Sequence, residues 1–140
     1  MNILITGVAG FIGFNSAKNF LDLKHKVYGV DNFDNYYSKR FKSKRIKILK
    51  EKKNFHFKKI DITNFKNIST FIKSKKIDIL IHLAAQAGVR YSLKNPNKYL
   101  DVNIQGFTNL IKAIENKKIK KFIYASSSSV YGDSKKFPLK

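Results

Sequence analysis

Gly7-Val8-Ala9-Gly10-Phe11-Ile12-Gly13 decides the reading of this chain. The segment follows Asn2–Thr6 (NILIT), a short apolar run that stops at glycine and reads as a buried strand. It precedes Phe14, Ala17, Phe20 and Leu21, which recur at helical spacing. A G-x-x-G-x-x-G loop between a strand and a helix points to phosphate. Gly7 permits the tight turn, Gly10 lets the backbone approach a pyrophosphate, and Gly13 lets the helix lie close to the sheet. The helix amino terminus then offers free N–H groups and a partial positive charge to an anion. The alternative is a merely structural turn, and only the strand–loop–helix setting raises the motif above a count of glycines.

Outward from this loop the chain alternates. Lys26–Asp31 (KVYGVD) reads as a second strand, and residues 36–50 as a helix with Phe41, Ile46 and Leu49 inward and lysines outward. Residues 55–61 read as a third strand, with Phe55, Phe57 and Ile60 as its core candidates, and 64–73 as a helix. Residues 77–82 (IDILIH) give a fourth strand. Pro96, behind Asn95 as a cap, opens a helix that runs to about residue 116, and 119–126 (IKKFIYAS) give a fifth strand. The remainder to Lys140 is loop-like. Strands alternating with helices predict an α/β fold: a Rossmann-type doubly wound parallel sheet of order 3-2-1-4-5 in one domain spanning residues 1–140. In such sheets ligands bind beyond the carboxyl ends of the strands, near the point where strand order reverses.

A chain of 140 residues is one domain, long enough to bury a core without staples. It has no cysteine, which excludes disulfides, cysteine nucleophiles and iron–sulfur clusters and fits a reducing compartment. No metal site is expected. No apolar run approaches the length of a membrane span, and Met1 to Thr6 is too short for a signal-peptide core, so a cytoplasmic, membrane-free protein is expected. The net charge of +20 raises a nucleic-acid partner as the first suspicion. Yet only Arg40, Arg45 and Arg90 are arginines among the 29 basic residues, and base-reading surfaces favour arginine. The chain is also rich in Ile, Asn, Phe and Tyr, which share A/T-rich codons with Lys, so genome composition accounts for the charge. No nucleic-acid partner is expected.

Each polar oddity falls just after a strand. Asp31 ends the second strand, 24 residues after Gly7 and 18 after Gly13, near the spacing of about 20 for a ribose-binding acid. A carboxylate there accepts bonds from both ribose hydroxyls and repels a 2′-phosphate, which predicts NAD over NADP. The alternative is a turn aspartate in Asp31-Asn32-Phe33-Asp34-Asn35, and the nearby Arg40, Arg45 and lysines could receive a phosphate. Asp61-Ile62 after the third strand reads equally as an adenine contact and as a helix cap. After the fourth strand, His82-Leu83-Ala84-Ala85-Gln86-Ala87-Gly88 offers small residues that leave room for a cofactor against the backbone. His82 reads as a buried strand-end histidine, since no second histidine or acid cluster accompanies it. Four serines, Ser126 to Ser129, at the end of a core strand are costly unless something uses their hydroxyls; the alternative is a polar turn.

Together ILITGVAGFIG, VDNFDNYYS, HLAAQAGVRYS, DVNIQGFTNL and YASSSSVYG resemble the extended short-chain dehydrogenase/reductase family in its NAD-dependent sugar-nucleotide epimerase/dehydratase branch. Within it, DNFDNYYS and HLAAQAGVRYSLKNP look most like the UDP-glucuronate 4-epimerases. The resemblance implies tightly bound NAD, a UDP-sugar substrate, oxidation at C4, rotation of the 4-keto sugar and re-reduction. It implies that Gly7, Gly10, Phe11, Ile12, Gly13, Asp31, Asn32, Asp61, Ile62, Leu83, Ala84, Ala85, Gln86 and Asn103 form the NAD site. It implies Ser127 as the hydroxyl on the sugar 4-oxygen, with Ser126 and Arg90 at the substrate, although Arg90 serves a surface salt bridge equally well. Members of the family are commonly homodimeric.

One departure bears on activity. The family's catalytic Tyr-x-x-x-Lys begins a helix well after the serine-rich strand. The single match here, Tyr131-Gly132-Asp133-Ser134-Lys135, belongs to the V-Y-G triplet and reads as a turn, in which a spacing of four does not bring side chains together. The chain is therefore expected to be the amino-terminal part of such an enzyme, without the carboxy-terminal substrate domain and inactive alone. The other readings are a fragment of a sugar-nucleotide 4,6-dehydratase or decarboxylase, and a non-catalytic NAD-binding module.

Overall fold

A computed structural model describes residues 1–133 and 137–138. Five strands form one parallel sheet in the order β3-β2-β1-β4-β5, as the alternation predicts: β1 Asn2–Thr6, β2 Lys26–Asp31, β3 Phe55–Lys59, β4 Ile79–His82 and β5 Lys121–Tyr124. The centre strand β1 is apolar because both its faces are covered. Ile3 and Ile5 meet α1 (Phe11–Asp22) and α2 (Lys39–Lys50) through Ala17, Leu21, Ile46 and Leu49. Leu4 meets α3 (Phe65–Lys73) and α6 (Gly106–Ile114) through Ile68, Ile72, Leu110 and Ala113.

Several boundaries move, each for a local reason. The helix expected from residue 36 begins at Lys39, because Asn32 Oδ1 accepts from Asp34 N–H and Asp34 Oδ1 accepts from Tyr36 N–H at 2.9 and 2.8 Å. Such side-chain turns compete with the helix for the same backbone groups. Within α2, Phe41 is exposed and Lys42 is buried, the reverse of the expected facing. Asn64, not Asp61, caps α3, its Oδ1 accepting from Asn67 N–H at 3.0 Å. Asn95 occupies the cap position ahead of Pro96 but makes no side-chain capping bond. A short helix α4 (Val89–Lys94) forms where loop was expected. The helix opened by Pro96 runs as α5 (Pro96–Tyr99), then a π-helical stretch Leu100–Gln105, then α6.

The fifth strand stands at the sheet edge that the expected order gives it, and its exposure corrects the expectation about the serines. β5 is short, at the sheet edge, and mostly exposed, and Ser126 to Ser129 are exposed as well. Their hydroxyls carry no burial cost, so the argument that a ligand must use them falls away. Lys135, of the Tyr131 match read above as a turn and not a catalytic pair, lies outside the described residues.

Candidate functional site

Strand order reverses at β1, whose neighbours are β2 on one side and β4 on the other. Beyond their carboxyl ends lies a cavity of about 760 Å³. Its wall includes Gly7, Gly10, Phe11, Ile12, Gly13, Asp31, Asn32, Asp61, Ile62, Leu83, Ala84, Ala85 and Gln86. The structure thus brings together every residue expected at a cofactor except Asn103.

The three glycines divide the work. Gly7 has φ +71°, a left-handed conformation that favours glycine, and its N–H donates to Val30 O at 2.8 Å. A Cβ on Gly13 would press into the backbone of Gly7 and stand 2.8 Å from Val8 Cα. A Cβ on Gly10 would meet only Gly7 O, at 3.1 Å, so the space beside Gly10 belongs to the cavity. No side chain caps α1 and no acid sits in its first turn, which leaves its first N–H groups to a ligand.

Asp31 is buried. Its Oδ2 accepts from Ala9 N–H at 3.1 Å and its Oδ1 from Phe33 N–H at 2.8 Å, so it pins the glycine loop and begins a turn at once. Lys42 Nζ lies 3.4 Å from Oδ1. A carboxylate offers about four lone-pair sites and three are taken, so acceptor capacity remains for one hydroxyl. Asp61 resolves toward a turn at the cavity wall: Oδ1 accepts from Thr63 N–H and Oγ1, and Oδ2 from Asn32 Nδ2. Burial would raise the Asp61 carboxyl, but these bonds outweigh it and hold the group below the usual carboxylate range.

Asn103 stands behind the wall. Its Oδ1 accepts from Gln86 N–H at 2.8 Å and its Nδ2 donates to Gln86 O at 3.0 Å, so it fixes the backbone of a wall residue. Arg90 is exposed on α4, outside the cavity wall, and among the described residues makes no ion pair. Ser126 and Ser127 also lie outside the wall, which Ala125 alone represents from that segment. Ser127 Oγ instead accepts from Ser129 N–H at 3.2 Å and caps a 3-10 turn.

Sequence reasoning missed Lys42, Asp34, Tyr36, Tyr37 and Phe41 as wall residues. It treated Arg45 only as a nearby cation. Arg45 Nη1 donates to Ala9 O at 3.1 Å and its guanidinium lies 5.9 Å from the centre of the Phe11 ring. Only a turn of α2 about its axis separates Lys42 from the expected outward face, a phase that periodicity in so lysine-rich a helix does not fix.

His82 is the buried strand-end histidine that was expected. Thr6 Oγ1 accepts from Leu83 and Ala84 N–H at 3.2 Å each, so its own hydrogen points at His82 Nδ1, 2.7 Å away. Burial pushes the imidazole down to about 4 from 6.5. The unfolded chain therefore binds a proton that the folded chain refuses between those values. Stability is complete above pH 6.5 and is lost as the pH falls toward about 4, by up to about 3 kcal/mol. Urea unfolding between about pH 7 and about pH 4.5 checks this. His82→Asn, which takes up no proton, is expected to flatten the slope; an equally steep slope would assign the loss to other groups.

A family model described as GDP-mannose 4,6 dehydratase matches residues 4–140. The UDP-glucuronate 4-epimerase of Thermodesulfobacterium geofontis is 45% identical over 128 residues, covering 91% of this chain and 40% of that enzyme. The probable UDP-glucuronate 4-epimerase of Rhizobium meliloti is 39% identical over 138 residues, covering 99% of this chain and 40% of that protein. Among solved structures, a tyrosine-to-phenylalanine variant of the Bacillus cereus UDP-glucuronic acid 4-epimerase superposes with a TM-score of 0.89 at 36% identity. That structure holds NAD and UDP-4-deoxy-4-fluoro-glucuronic acid, and the match covers 97% of this chain and 43% of that one. The chain thus spans about 40% of the length of the relatives it matches.

Proposed function

This chain belongs to the family described as GDP-mannose 4,6 dehydratase, among the NAD-dependent epimerases and dehydratases, and from that premise we propose that residues 1–140 are the NAD-binding domain of a UDP-glucuronate 4-epimerase. The observation that carries the cofactor is the open face of Gly10 beside a buried, hydrogen-bonded Asp31 in one cavity. The glycine loop and the uncapped end of α1 take the pyrophosphate. Asp31 takes a ribose, Asp61 and Ile62 take the adenine, and the small residues Leu83 to Ala85 leave room for the remainder. NAD, when bound, supplies the hydride acceptor for sugar C4, and the protein supplies binding and orientation. The substrate class rests on the relatives, since the UDP-sugar would have to be held largely by parts of the protein that this segment does not contain. In that role Ser127 holds the 4-oxygen, with Ser126 and Arg90 beside the sugar.

Among the described residues no group is placed to take the sugar proton. An unperturbed tyrosine has a pKa of about 10, and in the family's mechanism a lysine four residues on along a helix lowers it. Tyr131 instead ends a 3-10 turn, with Gly132 next at φ +59°. The 140-residue chain is therefore expected to bind NAD at least about tenfold better than NADP. It is expected to form no UDP-galacturonate from UDP-glucuronate. Calorimetry checks the first and chromatography the second. Absence of NAD binding would overturn the assignment. Turnover that Tyr131→Phe removes would make Tyr131 catalytic.

A further inference from the structure

We propose that Asp34, Tyr36, Lys98 and Tyr99 form a strap over the dinucleotide cavity that sets how fast the cofactor enters and leaves. The inference rests on the NAD reading above and adds to it a kinetic device. Strand order supplies the geometry. β2 and β4 flank β1, so the loop after β2 and the segment after β4 rise on either side of the glycine loop that ends β1. Whatever lies on the glycine loop lies between them.

The two sides are joined. Asp34 and Tyr36 belong to the cavity wall. Asp34 Oδ2 accepts from Lys98 Nζ at 2.7 Å. The Tyr36 hydroxyl rests directly on Gly88, at φ +101°, where a Cβ would have no room. Tyr99 Oη lies 2.6 Å from both Ala87 O and Gly88 O and donates to this carbonyl pair. The rings of Tyr36 and Tyr91 are 4.9 Å apart, and Lys98 Nζ stands 5.6 Å from the centre of the Tyr91 ring. Gly88 thus touches both Tyr36, from the loop after β2, and Tyr99, on α5.

The strap is built to open without unfolding the domain. Its members lie outside both buried clusters of the core, and the Lys98 and Asp34 side chains are 31% and 24% exposed. Contacts of this kind open locally at a fraction of the global stability. Phe33, at φ 61°, lies between the wall residues Asn32 and Asp34, and Gly88, at φ 101°, directly follows the wall residue Ala87. Ordinary wall residues would need only to face inward; Asp34 and Tyr36 also reach Lys98 and Gly88 on the β4 side, and that second set of contacts is what a gate requires.

Lys98 and Tyr99 do not line the cavity, so they separate gating from direct contact. NADH, whose fluorescence reports binding, is mixed rapidly with the 140-residue chain, and release is followed after a chase with excess NAD. Lys98→Met is expected to speed capture and release together by about tenfold, the worth of one charged hydrogen bond, and Tyr99→Phe by about fivefold, the worth of a neutral one; each is a side-chain change outside the core and leaves Kd within about twofold. Rates within about twofold of the parent chain in both variants would overturn the strap, as would faster release alone with Kd rising in proportion. If the parent chain binds no dinucleotide, the NAD reading fails and the strap with it; if it binds and only the rates stay unchanged, the strap alone fails.

Discussion

Gly13→Ala is expected to destabilise the domain by about 3 kcal/mol or more, whereas Gly10→Ala costs it less than about 1 kcal/mol yet abolishes dinucleotide binding. The two glycines are three residues apart in one loop, and the difference lies in what surrounds them. A methyl on Gly13 would collide with the Gly7 and Val8 backbone, which cannot give way, because Gly7 N–H is bonded to Val30 O in the sheet. A methyl on Gly10 would meet a single carbonyl oxygen at 3.1 Å, and Gly10 has φ −69°, which any residue adopts. It would instead fill the place from which a pyrophosphate reaches the end of α1. Urea unfolding measures the first effect and calorimetry with NAD the second. A Gly10→Ala chain that binds NAD like the parent would mean the pyrophosphate does not pass Gly10.

That contrast shows where the sequence was informative. Strand, glycine loop and helix were readable at β1 and α1 because both faces of β1 are buried and nothing in the segment competes with the helix. The stretch from Tyr36 to Ser38 was not readable as loop, because successive Asx turns cut into the helical period that Phe41, Ile46 and Leu49 present. At β5 the strand and its edge position agree with the expected order, and only its burial differs. Ile119, Phe122 and Ile123 look like a core strand, but a core strand needs cover on both faces, and Ile123 and Tyr124 are 49% and 56% exposed. Apolar spelling reports what a strand can bury, not what lies over it.

At the site, single residues with fixed spacing were legible: the glycines, Asp31, and the small residues after β4. Contributions that depend on tertiary approach were not. Asn103 is distant in sequence from the glycine loop and acts through the Gln86 backbone. Tyr36, Lys98 and Tyr99 meet Asp34 and Gly88 only because the strand order folds both loops over β1. Lys42 is hidden among 26 lysines, most of them on the surface, and nothing in its neighbours marks it as the one that turns inward.

Lys42 changes how the ribose role of Asp31 must be tested. Asp31→Ala would weaken NAD binding under the proposed assignment. It would also leave Lys42 with a buried, unpaired charge and free the Ala9 N–H that the carboxylate holds. Breaking one side of a buried pair costs about 3–5 kcal/mol, with the lower end expected here because Lys42 lines the cavity and water can reach it. Lost binding in Asp31→Ala therefore mixes a lost ribose contact with a loosened glycine loop. Asp31→Asn combined with Lys42→Met removes both charges and keeps an acceptor for Ala9 N–H. The double variant is expected to recover most of the stability lost by Asp31→Asn alone and to leave NAD binding weakened by at least about tenfold, the worth of one charge-assisted hydrogen bond. Asp31→Asn with Lys42 kept is expected to move preference toward NADP, since the repelling carboxylate is gone while Lys42 and Arg45 still line the cavity. Calorimetry with both dinucleotides, beside urea unfolding of all four chains, separates these effects. If the double variant regains NAD affinity together with stability, Asp31 acts only by holding the loop, and the ribose must be bound elsewhere.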